Sequence, residues 1–227
     1  MTGLSPGRGA VVFDLDGTLI DSAPDIQQAA NAVLAAEGLP PITAEETRRF
    51  IGNGAGVFVA RMMAAAGRDP EPAAHARLLD GFLARYESAV HLTRVYPGVG
   101  GALAALQAAG HRLAICTNKP AGPARAVLAH LGLAPVFEAV VGGDSLPVRK
   151  PDPAPLLQAV GELGAIPAVY VGDSEVDAET AARAGLPFAL YTEGYRKTPV
   201  DALPHDARFD SFAALPGLVD RLMPRTA

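Results

Sequence analysis

Apolar positions follow two different rhythms along the chain. From Tyr96 onward, short runs rich in β-branched residues alternate with stretches whose apolar side chains recur at helical spacing. Pro97-Gly98 opens an alanine- and leucine-rich helix that Gly110 stops, and Arg112-Leu113-Ala114-Ile115-Cys116-Thr117 follows as a buried strand. Three more rounds come after it. A helix around residues 123–131 precedes a strand at 138–141, a helix over 153–163 precedes Ala168-Val169-Tyr170-Val171, and a helix over 175–184 precedes Phe188-Ala189-Leu190-Tyr191. Alternation at these lengths predicts a parallel sheet with helices on both faces, to which Val11-Val12-Phe13 adds another strand.

Residues 22–95 break this rhythm. They show no clear strand; Ile26, Ala29, Ala30, Val33 and Leu34 sit at helical spacing, and Thr43 with Glu46 forms a capping box before another helix. The predicted fold is therefore α/β: a Rossmann-like parallel core over residues 1–21 and 96–227, with a small helical lobe over 22–95 inserted after the first strand and folded over its end.

Composition narrows the function. With 227 residues, 49% of them apolar, the chain builds a real core. A net charge of −5 with interspersed signs offers no basic stripe for nucleic acid or an anionic membrane, which leaves small metabolites as the expected ligands. No run approaches the roughly 18 to 20 apolar residues of a spanning helix, and no secretory leader pattern is read. Cys116 is the single cysteine, which excludes an internal disulfide framework and fits a reducing compartment. The expected setting is the cytoplasm. The five histidines show no ligand spacing, and no phosphate-loop nucleotide motif is present.

The chemistry concentrates at Asp14-Leu15-Asp16-Gly17-Thr18. An acid between Phe13 and Leu15 buries charge unless something neutralises it. The carboxyl ends of parallel strands share one edge, where ligands of such sheets bind. That edge collects Asp14, Thr117 and Asp173, with Lys150 in a nearby loop. Asp14, Asp16 and Asp173 supply oxygens suited to Mg²⁺, while a threonine hydroxyl and a lysine ammonium suit a phosphoryl group. Asp14 and Asp16 share a face if the strand continues, so one could attack phosphorus while the other handles protons. Gly17 lets the backbone approach a ligand, and Thr18 offers a hydroxyl at the turn. Singly, each has a plain reading: Asp16-Gly17 as a turn, Ser174 as a helix cap, Asp177 as a helix-terminal charge, Lys150 as a solvated loop residue. Their conjunction points to phosphoryl transfer.

Asp14-Leu15-Asp16-Gly17-Thr18, Thr117-Asn118, Lys150-Pro151 and Gly172-Asp173-Ser174-Glu175-Val176-Asp177 resemble, in this order, the four motifs of the haloacid dehalogenase-like phosphohydrolases. The resemblance covers nearly the whole chain. It implies Asp14 as nucleophile, Asp16 as general acid and base, and Thr117 and Lys150 as phosphoryl ligands. It implies Mg²⁺ held by Asp14, the Asp16 backbone carbonyl and Asp173, with Ser174 and Asp177 in support, and it makes the insert a mobile cap. Dehalogenase-like members lack an acid at the place of Asp16, so phosphomonoester hydrolysis is the implied reaction. Phe50-Ile51-Gly52-Asn53-Gly54-Ala55, Thr117-Asn118-Lys119-Pro120 and the stretch from Val141 to Pro153 resemble bacterial members that split 2-phosphoglycolate into glycolate and phosphate. Substrate contacts are then expected from Thr18, Thr117, Asn118, Lys119 and Gly52-Asn53-Gly54, whose backbone N–H groups would close over a carboxylate. Arg48, Arg49, Arg61, Lys119 and Arg196 are candidate cations for that carboxylate. The rivals are a β-phosphoglucomutase-like phosphotransferase, a phosphatase for another small phosphorylated metabolite, and a phosphate-sensing or partner-binding module without turnover; monomer and homodimer both remain open.

Overall fold

A computed structural model describes residues 9–164 and 167–223. The expected core assignments of residues 1–8, 165–166 and 224–227 lie outside the described residues. In chain order the elements are β1 (Gly9–Phe13), β2 (Ile20–Asp21), α1 (Ala23–Ala36), α2 (Ala44–Phe50), α3 (Ala55–Ala65), α4 (Pro72–Tyr86), β3 (Arg94–Val95), α5 (Val99–Ala108), β4 (His111–Cys116), α6 (Ala121–His130), β5 (Ala139–Val141), α7 (Ala154–Glu162), β6 (Ala168–Gly172), α8 (Glu175–Ala184), β7 (Phe188–Tyr191), β8 (Ala207–Phe209) and α9 (Leu215–Leu222).

Six strands form one sheet in the order β5-β4-β1-β6-β7-β8, every neighbouring pair parallel. The two faces of β1 show why its sequence is uninterruptedly apolar. Val11 and Phe13 point into a cluster with α5, α6 and α9, whereas Ala10 and Val12 point into another with α7 and α8. Both faces are covered, as parallel sheets require. The chain winds outward to β4 and β5 on one side of β1 and to β6, β7 and β8 on the other, so the order reverses at β1.

Strand β8 and helix α9 were not legible in the sequence: a three-residue edge strand is too short to show a period. The interval 22–95 also ends in a strand, contrary to expectation. Arg94 and Val95 pair antiparallel with Asp21 and Ile20, and this two-stranded ribbon joins the helical insert to the core. Four helices, α1 to α4, bury Ile26, Val33, Phe58, Met62, Leu78 and Phe82 against one another in a cluster of their own. The expected stripe on α1 faces this cluster, and the Thr43–Glu46 capping box is present on α2. Asp25, 1% exposed, closes the exit of the insert: its carboxylate accepts from the Leu92 and Thr93 N–H groups and from the Thr93 hydroxyl.

Candidate active site

Strand register delivers the site. Phe13 pairs with Ile115 of β4 and Val171 of β6, so the residues just past these strands, Asp14, Thr117 and Asp173, reach one edge together. Pairing persists into the site, because the Asp14 N–H donates to the Val171 carbonyl at 2.9 Å and the Thr117 N–H to the Val141 carbonyl at 3.0 Å. Gly17 is necessary here. It adopts φ +88°, and a Cβ would stand 2.6 Å from Asp173 Oδ2, so no other residue lets the loop lie against that carboxylate.

Carboxylate oxygens of Asp14, Asp173 and Asp177 lie within 4.8 Å of one another, all three residues buried. Lys150, 3% exposed, reaches into this cluster: its Nζ is 3.0 Å from Asp14 Oδ1, 2.7 Å from Asp177 Oδ1, and donates to the Tyr170 hydroxyl at 2.9 Å. Burial pulls this ammonium down, but Asp14 and Asp177 outweigh it and hold Lys150 above the usual lysine value. One cation does not balance three carboxylates. Burial, opposed by Lys150 and reinforced by Asp177, raises the Asp14 carboxyl from 3.8 to about 7. Burial with the charges of Asp177 and Asp14 pushes Asp173 well above the carboxylate range. Asp177 goes the other way: Lys150 and donors from Ser174 and Tyr170 overcome its burial.

A cavity opens beside this cluster, between the strand ends and the helical insert. Asp14, Asp16, Thr117 and Lys119 line one side, and Ile51, Phe58, Phe82 and Tyr86 line the other. The Asp16 carboxylate accepts from the Ser22 hydroxyl at 2.5 Å and from Lys119 Nζ at 3.1 Å. Lys119 also donates to the Tyr86 hydroxyl at the end of α4. Asn118 ties the two parts together, its amide donating to the Gly52 carbonyl at 2.9 Å and to the Lys150 carbonyl at 3.0 Å. Asp14, Asp16, Thr117 and Lys119 therefore stand around one cavity, with Lys150 and Asp173 in the acidic cluster beside it.

A family model for haloacid dehalogenase-like hydrolases matches residues 9–185, a span that holds all four motif stretches. The chain belongs to this family of hydrolases. It is 51% identical over 211 residues to a phosphoglycolate phosphatase of Rhodobacter capsulatus, covering 93% of this chain and 96% of that one. Identity to a phosphoglycolate phosphatase of Rhodospirillum rubrum is 47%, over 91% of this chain and 88% of the relative. Among solved structures, a predicted phosphoglycolate phosphatase from Haemophilus somnus superposes with a TM-score of 0.86 at 32% identity, covering 96% of this chain and 100% of that chain. CbbY of Rhodobacter sphaeroides, crystallised in complex with phosphate, gives 0.77 at 28% identity, over 91% and 95% of the two chains.

Phosphatases among these hydrolases use a divalent metal ion, and the acidic cluster fits one. Asp14 Oδ1 is buried without a hydrogen-bond donor, its contact with Lys150 at 3.0 Å being an ion pair only. Hard carboxylate oxygens left short of positive charge are the donor set that such an ion takes. Asp177 is engaged differently. Its Oδ2 accepts from the backbone N–H groups of Asp173 and Ser174 and from the Ser174 hydroxyl, so it orients its neighbours, and Ser174 with Asp177 caps α8. The Asp16 side chain stands apart from the acidic cluster, facing Lys119.

Several expected contacts fall elsewhere. Thr18 is fully buried and spends its hydroxyl on Asp173 Oδ1 at 2.7 Å, so it steadies that carboxylate and does not line the cavity. Gly52 and Gly54 line the cavity but Asn53 does not, and Gly52 presents its carbonyl, not its N–H, to the core. Of the candidate cations, Arg48 pairs with Asp21, Arg49 lies over the Phe50 ring, Arg61 donates to the Phe50 carbonyl, and Arg196 borders a separate surface depression. Lys119 alone of the five reaches the cavity. Ser22, Tyr86, Tyr170 and Tyr195 were missed in the sequence. Tyr195 serves two places at once: its N–H donates to Asp173 Oδ2 at 2.6 Å, while its hydroxyl accepts from the Ser22 and Ala23 N–H groups and donates to Asp21.

Proposed function

We propose that the protein is a Mg²⁺-dependent phosphomonoesterase that converts 2-phosphoglycolate and water to glycolate and phosphate through a phosphorylated Asp14. The observation that carries this reading is the meeting of Asp14, Thr117, Lys150 and Asp173 on one edge with a cavity holding Asp16 and a buried ammonium among apolar walls. The first set suits a phosphoryl group, and the cavity suits a short anionic leaving group. The names of relatives that share about half of the sequence support the substrate.

In this reading the Asp14 carboxylate attacks phosphorus while the bond from phosphorus to the ester oxygen breaks, and the leaving oxygen takes the Asp16 proton. Asp16, now ionised, takes a proton from the water that attacks the phosphorylated Asp14, releasing phosphate and restoring the carboxylate. Lys150 keeps positive charge at the nucleophile, and the Thr117 hydroxyl donates to a phosphoryl oxygen. Mg²⁺ held by Asp14, Asp173 and the Asp16 backbone carbonyl, with Ser174 and Asp177 in support, would screen nucleophile from phosphoryl group and stabilise charge in the transition state. Residues 22–95 act as a cap hinged at the ribbon of β2 and β3, excluding water when it closes. The site of action is the cytoplasm.

The deciding experiment measures phosphate release from 2-phosphoglycolate, hexose phosphates, nucleoside monophosphates and a pentulose bisphosphate, each with Mg²⁺ and with chelator. A metal-dependent maximum of kcat/KM on 2-phosphoglycolate is expected. CbbY, which has also been crystallised with xylulose-(1,5)bisphosphate, favours a second reading in which the substrate is a sugar bisphosphate. A higher kcat/KM on the pentulose bisphosphate establishes that reading, interconversion of hexose phosphates establishes a phosphotransferase, and binding without release establishes a sensing module.

A further inference from the structure

Lys119 is a costly residue in its place. It is 6% exposed, and its ammonium sits against the Tyr86 ring at 4.2 Å from the centroid, where desolvation is repaid only by partners. Those partners are the Tyr86 hydroxyl and the two Asp16 oxygens, at 3.1 and 3.4 Å. Asp16 has another duty at the ester oxygen.

The geometry of the substrate links the two. In 2-phosphoglycolate the carboxyl carbon is bonded to the carbon that bears the ester oxygen. A substrate whose ester oxygen is within hydrogen-bond reach of Asp16, about 3 Å, therefore brings its carboxylate beside an ammonium that already touches Asp16. Tyr86 accepts a hydrogen bond from Lys119, which leaves its own proton free for the second carboxylate oxygen. Phe58 and Phe82 wall the space on the cap side, so water competes poorly for these donors. A single lysine, a compact point charge, fits a small cavity better than the broad fork of an arginine.

We propose that Lys119 is the specificity-determining residue that binds the substrate's carboxylate, with Tyr86 of the cap holding its ammonium in position. The inference rests on the 2-phosphoglycolate reading above. Selection for the acid is then made where cap and core meet, because the cation comes from the strand-end loop after β4 and its support from α4.

The test compares 2-phosphoglycolate with ethyl phosphate, in which a methyl group replaces the carboxylate, by kcat/KM with Mg²⁺ present. Wild-type protein should prefer 2-phosphoglycolate. Lys119→Met should lower that preference by about 10- to 100-fold, the worth of a buried charged hydrogen bond, and Lys119→Arg should restore part of it. Tyr86→Phe, which keeps the ring, should lower it by about 3- to 10-fold; this variant carries the test if Lys119→Met does not fold. An unchanged preference in the variants, or an equal loss on both substrates, overturns the assignment while the preference of the wild type leaves the proposed function standing. A wild type that does not prefer 2-phosphoglycolate overturns the substrate reading, and this inference with it.

Discussion

Asp14→Asn should abolish turnover and yet make the metal-free protein more stable at pH 8. Burial raises the Asp14 carboxyl from 3.8 to about 7 against the pull of Lys150. A carboxyl that titrates higher in the folded state than in the unfolded one binds its proton more tightly when folded. Its stabilising contribution is thus complete below about pH 4 and is lost as pH rises through about 7. A rise of roughly three units at about 1.4 kcal/mol each sets an upper bound near 4 kcal/mol. Asparagine never ionises and escapes that cost. The pull of Lys150 is already contained in that raised value, and Asp177 at 2.7 Å remains to hold the ammonium in the variant. The gain expected at pH 8 is therefore up to about 4 kcal/mol, falling to about 2 kcal/mol at pH 5 and vanishing below about pH 4.

Urea unfolding followed by circular dichroism, in chelator at pH 5 and pH 8, measures this difference directly. Mg²⁺ should then reverse the order, since an ion that binds the folded wild type stabilises it by mass action and finds one carboxylate fewer in the variant. An Asn variant that is no more stable than wild type in chelator at pH 8 would refute the argument that Asp14 is held short of positive charge. So would the same difference between the two proteins at both pH values.

Asp25→Ala leaves the buried Thr93 N–H and hydroxyl without their acceptor and should cost about 3 kcal/mol in urea unfolding; a loss under 1 kcal/mol would show that the insert's exit is held by other contacts. Tyr195→Phe removes the acceptor for the Ser22 and Ala23 N–H groups. It should cost about 1–2 kcal/mol and lower kcat on p-nitrophenyl phosphate, a substrate with no carboxylate to read. Burial, the main cause, pushes the Cys116 thiol up to about 12; iodoacetamide at pH 8 should leave the native protein unlabelled and modify it fully in urea.

Residues tied to strand ends were legible because a parallel sheet converts sequence position into spatial position. Once Val11 to Phe13 and Arg112 to Cys116 read as strands, Asp14 and Thr117 had only one edge to occupy, and the register of β1 with β4 and β6 brings them there. Thr18 shows where this logic stops. Turn chemistry says that a hydroxyl after Asp-Gly is available to a ligand. The direction it takes depends on the left-handed Gly17 and on how closely Asp173 approaches from β6, a residue 155 positions away. Asn53 misleads in the same way: the glycines around it set the turn, and the turn leaves its side chain off the cavity.

The insert was legible as helices but not as chemistry, and the reason is general to amphipathic patterns. Periodicity states which face of α4 is buried, so Phe82 and Tyr86, one turn apart, read as equivalent members of one apolar stripe. They stack on each other at 5.0 Å, and nothing local distinguishes them. What separates them is the partner across the gap: Phe82 meets Phe58 from α3, whereas Tyr86 meets Lys119 from the core. Tyr195 is harder still to read, because it lies in a loop without period and acts through its N–H on Asp173 and its hydroxyl on the first turn of α1. One loop residue thereby connects a carboxylate of the acidic cluster to the entry of the insert. In the proposed cap movement, the surroundings of Tyr195 would change and, through its backbone, the support of Asp173. The entry of the insert and the acidic cluster are therefore tied together by a contact that no single motif contains.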